Sequence, residues 1–154
     1  MSLAALKSAA AWPGRAVAGR YLLIAGILNL VWETAQLPLY TIWYSGSAFD
    51  MVYAVIHCTA GDVIILSATF FLSLLLLGKT AWPARSYFRV ALLVTFLGAA
   101  CTIYSEQLNV NVWKNWAYAP AMPLLPPLGT GLSPLLQWLL IPIPAFLLAR
   151  RLSR

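Results

Sequence analysis

The chain has 154 residues, of which 62% are hydrophobic and 9% are charged. A soluble domain needs more polar surface than this composition supplies, and the length leaves room for only one compact domain, residues 1–154. The net charge of +6 does not indicate nucleic-acid binding, because the basic residues lie at the ends of apolar segments and form no patch interleaved with aromatic residues. We therefore expect an integral membrane protein that has the lipid bilayer as a partner.

Four apolar segments each approach the ~20 residues that cross a hydrocarbon core of ~30 Å. In chain order they cover residues 21–43, 51–77, 86–109 and 132–149. The basic residues lie before the first segment, in or beside the second connection, and after the last segment: Lys7, Arg15, Arg20, Lys79, Arg85, Arg89, Arg150, Arg151 and Arg154. The first connection has no basic residue and the third has only Lys114. The positive-inside rule predicts an all-α bundle of four transmembrane helices with both termini in the cytoplasm, and we place it in a bacterial inner membrane.

The first twenty residues share features with a signal peptide, because a lysine and several alanines precede an apolar run. The run nevertheless continues for more than 20 residues, contains Glu33 and ends near Tyr40 without a small-x-small cleavage site. We interpret it as a retained helix. A short interfacial segment, broken at Trp12-Pro13-Gly14, is expected to precede it.

Three of the four acidic residues, Glu33, Asp62 and Glu106, lie inside or at the edge of apolar segments. A charged side chain at the centre of a membrane helix costs about 2.5–3.5 kcal/mol on insertion scales, so an acid is seldom there by accident. This distribution is the reverse of that of the basic residues and predicts a polar cluster within the membrane.

The polar residues of the first segment fall on one helix face. Asn29, Glu33, Gln36 and Tyr40 are spaced four, three and four apart, which aligns them if the helix continues past Pro38. Hydrogen bonds between helices explain the amides and the phenol. Glu33 fits that explanation less well, because a neutral amide would serve at lower cost, and a functional role stands beside the structural one.

The second segment carries Tyr53 and His57 four residues apart, and Cys58 and Asp62 four residues apart. His57 and Asp62 would point about 140° apart on a regular helix. They would share a pocket only if the helix is distorted near Gly61 or the pocket is wide. His57 is the only histidine, and it is either a packing residue or part of the site.

The third segment ends in Thr102, Tyr104, Glu106 and Asn109. At a rise of about 1.5 Å per residue, Glu106 lies about 25 Å beyond Arg89, close to the outer surface. Glu106 is therefore either an ordinary interfacial acid or a member of the cluster.

The depths of the ionisable groups favour a cluster. By the same measure Glu33 lies about 20 Å beyond Arg20, and His57 about 10 Å inside the outer end of its segment. With Asp62 and Glu106 they fall in the middle and outer half of the bilayer. Desolvated ionisable groups need partners, so we expect the four to lie together.

The third connection, residues 110–131, combines Trp113, Trp116 and Tyr118 with four prolines and a Gly-Thr-Gly sequence. The aromatic residues are typical of a membrane interface, and the prolines and glycines oppose a helix. The connection is either a plain loop with interfacial anchors or an ordered lid over the polar cluster. In the fourth segment, Pro142 and Pro144 predict a kink.

Several chemistries are disfavoured by the sequence. Cys58 and Cys101 form no C-x-x-C motif, a single histidine cannot supply bis-histidine haem ligation, and neither a phosphate-binding loop nor a nucleophile elbow is present. A metal site of His57 with the three acids has suitable ligand types, but nothing in the spacing selects it. We predict neither a metal nor a cofactor, and no nucleic-acid partner.

Asn29, Trp32 and Glu33 in the first segment, followed by Gly61-Asp62 in the second, form a pattern that resembles the integral-membrane terpene cyclases of fungal meroterpenoid pathways. In that family the corresponding glutamate is implicated as the acid that starts cyclisation of a prenyl chain. The resemblance implies that Glu33 is the proton donor and Asp62 a supporting acid. That family has seven spans, whereas four are predicted here.

A second likeness is to the sterol-isomerase and sigma-2-receptor superfamily, since Glu33 with Gln36-Leu37-Pro38, then His57, is similar to its pocket of an acid and a histidine. The Glu–Gln spacing differs from that family by one residue. Both families place carboxyl groups in apolar pockets, where desolvation makes a general acid available near neutral pH.

Three hypotheses follow: an enzyme or binding protein for an isoprenoid, sterol-like or other lipophilic molecule, an accessory subunit of a larger membrane complex, and a proton, metal or solute carrier. A carrier of four spans would need a homo-oligomer, which is a possible partner. Enzymatic activity, of the cyclase or isomerase type, is left open. The candidate catalytic residues are Glu33, Asp62 and His57. The candidate ligand-binding residues are Asn29, Gln36, Tyr40, Tyr53, Tyr104, Glu106, Asn109, Trp113 and Trp116.

Overall fold

The computed structural model describes residues 13–77, 82–83 and 85–153. The described chain is mostly helical, and four helices are long and apolar enough to cross a membrane: Gly14–Leu39, Ala48–Leu77, Tyr87–Val112 and Leu132–Arg151. Four candidate spans were expected, and they characterise an integral membrane protein. The predicted interfacial segment up to Trp12 and the basic residues Lys7, Lys79 and Arg154 lie outside the described residues.

The first two spans differ in their bounds from the prediction. Helix α1 covers Pro13–Gln36 and continues as a 3-10 turn, Leu37–Leu39. It begins earlier than expected because proline is well accommodated in a first helical turn, where its missing N–H has no partner to lose. The α-helix ends before Pro38 because the residue that precedes a proline avoids the α conformation. Tyr40 therefore lies beyond the helix, in extended backbone.

A short helix α2, Ile42–Ser45, connects to the long helix α3, Ala48–Leu77. At the start of α3 the Ser47 backbone N–H donates to Asp50 Oδ2 at 2.9 Å, and the Asp50 backbone N–H donates to Ser47 Oγ at 3.2 Å. This reciprocal cap satisfies two free N–H groups at the helix start and explains why an acid stands there.

The last two spans are each composed of two parts. Helix α4, Tyr87–Glu106, continues as a π-helical turn, Gln107–Val112. The fourth span consists of α5, Leu132–Leu140, and α6, Pro142–Arg151, which are separated at Ile141. The break lies at the first of the two prolines that predicted a kink, since Pro142 has no N–H to continue the helical hydrogen bonds.

Helix α1 packs against α3 and α6, and α4 packs against α3, α5 and α6. Arg20 Nη1 donates to Ser153 Oγ at 2.7 Å, and the Arg150 guanidinium lies 5.1 Å from the centroid of the Tyr87 ring. These contacts bring the start of α1, the start of α4 and the end of α6 to the same side of the molecule. We call this side the basic end, and the opposite side the loop end.

The interior of the basic end is filled by aromatic side chains. The rings of Tyr21 and Phe146 stack at 3.8 Å, the rings of Phe70 and Trp82 meet edge to face at 5.3 Å, and the Tyr87 hydroxyl donates to the Phe146 carbonyl. Because lipid is as apolar as these side chains, their van der Waals fit rather than exclusion from water holds the helices together.

The loop end is covered by residues 113–131, which form an ordered connection. Two short antiparallel strands, β1 at Leu124–Leu125 and β2 at Thr130–Gly131, close it on itself. The Thr41 N–H donates to the Ala117 carbonyl at 2.9 Å, which joins this connection to the segment between α1 and α3. The Pro126–Pro127 peptide bond in this connection is cis, as is Trp82–Pro83 between α3 and α4.

Candidate functional site

A cavity of about 670 Å³ lies at the loop end, between α1, α3, α4, α5 and the covering connection. Gly61 lines the cavity beside open space, since a Cβ added there would meet no atom within 4 Å. All but two of the predicted site residues line this cavity. They are Glu33, Gln36, Tyr40, Tyr53, His57, Asp62, Glu106, Asn109, Trp113 and Trp116.

Glu33 on α1 and Asp62 on α3 form a carboxyl pair in the cavity wall. Gln36 Nε2 donates to Glu33 Oε1 at 2.8 Å, and Gln137 Nε2 donates to Asp62 Oδ2 at 2.7 Å. The two carboxyl groups are also close enough to interact with each other. When one of them carries a proton, it can donate a hydrogen bond to the other or a proton to a bound molecule.

A second row of side chains holds this pair in place. Gln137 Nε2 donates to Asn29 Oδ1 at 2.8 Å, while Asn29 Nδ2 donates to the Ala25 carbonyl one helical turn back, also at 2.8 Å. Ser133 Oγ donates to Gln36 Oε1 at 2.8 Å. Asn29 is thus buried behind the pair, outside the cavity lining, and its contacts are those of a positioning residue.

Glu106 lies on the opposite wall, and its surroundings differ from those of a surface acid. Its side chain is only 6% exposed, so burial excludes the interpretation as an ordinary interfacial acid. The Tyr118 hydroxyl donates to Glu106 Oε2 and accepts from the Gly131 N–H at 2.9 Å. The indole of Trp116 lies beside the same carboxyl group.

Two tyrosines outside the spans lie near Glu106, and Tyr40 is the one of the two that lines the cavity. Burial, and then the hydrogen bond to Glu106, raise the pKa of Tyr118. Burial, and then the charges of Glu106 and Glu33, raise the pKa of Tyr40, whose ring lies 5.6 Å from that of Tyr118. Both side chains therefore remain neutral and able to donate hydrogen bonds well above neutral pH.

His57 lies at the exposed rim of the cavity, where its ring stacks with that of Tyr53 at a centroid distance of 5.6 Å. Helix α3 is continuous through Gly61, so the width of the cavity, and not a helix distortion, lets His57 and Asp62 line the same space.

Tyr104 is placed away from the cavity, which corrects the prediction that included it. Its side chain is 68% exposed on the outer surface of α4. The physical reason is helical periodicity: two residues correspond to a rotation of about 200° around the helix axis, so Tyr104 and Glu106 lie on nearly opposite faces. Thr102, Glu106 and Asn109 share the inward face instead, and all three are buried.

Among residues 13–77, 82–83 and 85–153, no three His, Cys, Asp or Glu side chains are arranged to hold a metal ion. The acids and His57 all line one cavity. Cys58 and Cys101 are both free thiols, the first in the cavity wall and the second exposed.

Comparisons with protein-family models, with curated proteins and with solved structures found no match for this chain. The resemblance to the membrane terpene cyclases stays a prediction based on a short motif. Of that motif, Glu33 and Asp62 line the cavity, Asn29 accepts a hydrogen bond from Gln137, and Trp32 packs against the apolar core.

Sequence reasoning did not assign a site role to two residues that contact the acids. Gln137, which donates to Asp62, is the only amide in the fourth span, and the expectation that polar side chains in a span bond to other helices would have marked it as a contact residue. Tyr118, which donates to Glu106, stands in a loop with several aromatic residues, and no local signal separates it from them.

Proposed function

We propose that this chain binds a lipophilic small molecule, isoprenoid or sterol-like in size, in the cavity at the loop end. The carboxyl pair of Glu33 and Asp62 serves as its polar anchor and, in an enzyme of the cyclase or isomerase type, as its proton donor. The proposal includes a four-helix bundle in a bacterial inner membrane, with the basic end in the cytoplasm, since basic residues mark the cytoplasmic side.

The observation that carries the proposal is a cavity of about 670 Å³, among helices that are long and apolar enough to span a membrane, with paired carboxyl groups in its wall. Its volume falls within the range of about 300–1,000 Å³ typical of small-molecule sites. Apolar and aromatic side chains such as Ile65 and Trp113 line it together with the acids. This combination suits a largely apolar molecule with one polar group.

The contacts of the polar face of α1 weaken the accessory-subunit hypothesis. That hypothesis needs polar side chains directed at helices of another chain. Asn29 and Gln36 instead bond with Gln137 and Ser133 of the same chain. A carrier is weakened too, because the described part of the basic end has packed aromatic rings, such as Tyr21 and Phe146, in its interior.

The test is retention of a lipophilic molecule by the purified protein in lipid nanodiscs, measured by mass spectrometry of extracted lipids. We expect the wild type to retain a defined molecule, and Glu33→Gln to reduce its occupancy about tenfold, which corresponds to 1.4 kcal/mol. Asp50→Asn is the matched control, because it removes an acid that caps α3 and does not line the cavity.

Size-exclusion chromatography shows whether each variant stays monodisperse. An undiminished occupancy in folded Glu33→Gln protein would contradict the proposal. Equal losses in Glu33→Gln and Asp50→Asn would do so as well, because the effect would then not depend on the cavity.

A further inference from the structure

We propose a second binding site at the basic end, on the outer face of α6, which holds an anionic phospholipid by its phosphate group. This site is separate from the cavity at the loop end and does not depend on the proposed function. It follows from the shape of this face, from the charge at its end, and from the contacts that orient its arginines.

The outer face of α6 borders a groove of about 540 Å³, and the described residues that line the groove all belong to this helix. Four of them, Pro144, Leu147, Leu148 and Arg151, recur at positions i, i+3, i+4 and i+7 and therefore share one side of the helix. All four are exposed, whereas the opposite side of α6 is buried against the rest of the bundle. The groove is thus open to the surrounding lipid.

Along the helix axis the groove changes from apolar to charged. Pro144, Leu147 and Leu148 line the part that is nearer the centre of the span. Arg150 and Arg151 line its end, and the distance along the axis from Pro144 to Arg151 is about 10 Å at a rise of about 1.5 Å per residue. A phospholipid has the same order, with acyl chains toward the bilayer centre and a phosphate at the surface, so one molecule would match both parts.

The positive charge at this end has no acidic side chain as a partner. The four acidic residues of the sequence all belong to the loop end, where Asp50 caps α3 and the other three line the cavity: Glu33, Asp62 and Glu106. Basic pockets beside membrane helices bind anionic head groups, and a guanidinium pairs with phosphate oxygens through two parallel N–H bonds. The phosphate of a lipid therefore supplies the negative charge that this end lacks.

Contacts within the protein orient two guanidinium groups at this end. The Arg150 guanidinium lies 5.1 Å from the centroid of the Tyr87 ring, and Arg20 Nη1 donates to Ser153 Oγ, two residues beyond Arg151. Stacking on a ring uses the face of a guanidinium and leaves the N–H groups at its edge for an anion. Arg150 is thereby partly oriented before a lipid binds, which lowers the entropic cost of binding.

The experiment is native mass spectrometry of the protein in detergent micelles that contain equal amounts of phosphatidylglycerol and phosphatidylcholine with the same acyl chains. Both lipids carry a phosphate, but the choline cation cancels its charge. We expect the wild type to retain phosphatidylglycerol in at least about tenfold preference over phosphatidylcholine. The double variant Arg150→Gln/Arg151→Gln should lose this preference.

The matched control is Arg85→Gln/Arg89→Gln, which removes two exposed arginines from the same end. Neither of them lines the groove, so this variant should keep the preference. Equal losses in the two double variants would overturn the proposal, because the overall positive charge of the basic end would then explain the binding. Equal retention of the two lipids by the wild type would also overturn it.

A competition measurement separates a bound lipid from a bound free phosphate. Glycerol 3-phosphate has the same phosphate ester and no acyl chain, so a large excess at constant ionic strength should leave the lipid in place. Displacement of the lipid would overturn the assignment of the apolar part of the groove to acyl chains.

The single variant Arg151→Gln keeps the test decisive if the double variant does not fold, because Arg151 is exposed at the last position of α6. Its preference for phosphatidylglycerol should be weaker than that of the wild type. An unchanged preference would contradict the role of the groove.

Discussion

At the scale of the residue, the placement of the carboxyl pair depends on the side-chain amide of Gln137. Gln137 donates through the same nitrogen to Asn29 Oδ1 and Asp62 Oδ2, and so connects α1, α3 and α5. It is 1% exposed, so water does not replace these bonds if they are lost. The neutral side chain of Gln137 on α5 thereby helps to set the positions of Glu33 on α1 and Asp62 on α3.

Gln137→Leu preserves much of the volume of the side chain and removes both hydrogen bonds. We expect a loss of about 1–3 kcal/mol in the free energy of unfolding, because Asn29 and Asp62 would each lose a buried donor. The measurement is reversible unfolding in mixed detergent micelles, followed by circular dichroism.

Thr34→Val is the matched control for this change. Thr34 donates only to the Leu30 carbonyl in its own helix and is exposed, so its replacement should change stability little. Similar losses for the two variants would contradict a special contribution of Gln137.

At the scale of the element, the covering connection is bound to the cavity wall rather than lying freely over it. Asn115 Nδ2 donates to Asn109 Oδ1 at 2.7 Å, and Gln107 Nε2 donates to the Leu128 carbonyl at 2.7 Å. Tyr118 adds its bond to Glu106. Several hydrogen bonds to side chains of the third span thus hold the connection in place. All of them would have to break for the connection to move away from the cavity.

The pH dependence of this attachment follows from Tyr118. Because the folded pKa is raised, the neutral hydroxyl is favoured in the folded state, and its stabilisation is fully present below the unfolded pKa of about 10. The stabilisation is lost as pH rises from there toward the folded pKa. Glu106 and Tyr40 face the same hydroxyl, and a charged phenolate beside them would be unfavourable.

We therefore expect Tyr118→Phe to be less stable than the wild type by about 1–3 kcal/mol near neutral pH, since Glu106 loses its donor, and the difference to shrink above pH of about 10. Thermal unfolding of both proteins across this range measures it. Tyr44→Phe, in which an exposed tyrosine is changed, serves as the control. A difference that is constant with pH would refute the assignment.

At the scale of the whole molecule, the two ends differ in packing and in charge. The basic end is closed by aromatic side chains such as Phe70, while the loop end encloses the cavity. Arg20 and Arg150 contact residues at the basic end, and among the described residues Lys114 is the single basic residue of the loop end. From this asymmetry the positive-inside rule predicts that the basic end faces the cytoplasm.

The orientation is tested by cysteine labelling of whole cells with a membrane-impermeant maleimide. In a Cys58→Ala, Cys101→Ala background, Ala121→Cys should react from outside, and Leu152→Cys only after permeabilisation. Both positions are exposed, so a difference in labelling reports their side of the membrane. Labelling of Leu152→Cys in intact cells would reverse the proposed topology.

The sequence by itself determined the four candidate spans, because hydropathy and span length are properties of continuous segments. It also grouped Glu33 and Gln36 on one face of α1 and Thr102 and Glu106 on one face of α4, because the helical repeat orients side chains within an element. The same repeat could have separated Tyr104 from its neighbours.

Only the tertiary structure decided which of these faces meet. The shared cavity wall of Glu33 and Asp62, the donation from Gln137 and the attachment of Tyr118 to Glu106 each bring together residues on different elements. Such contacts depend on the rotation of one helix about its axis relative to the next, and that rotation is set by side-chain packing between them. No periodicity within a single segment contains this information, which is why the acids could be located by depth but their partners could not.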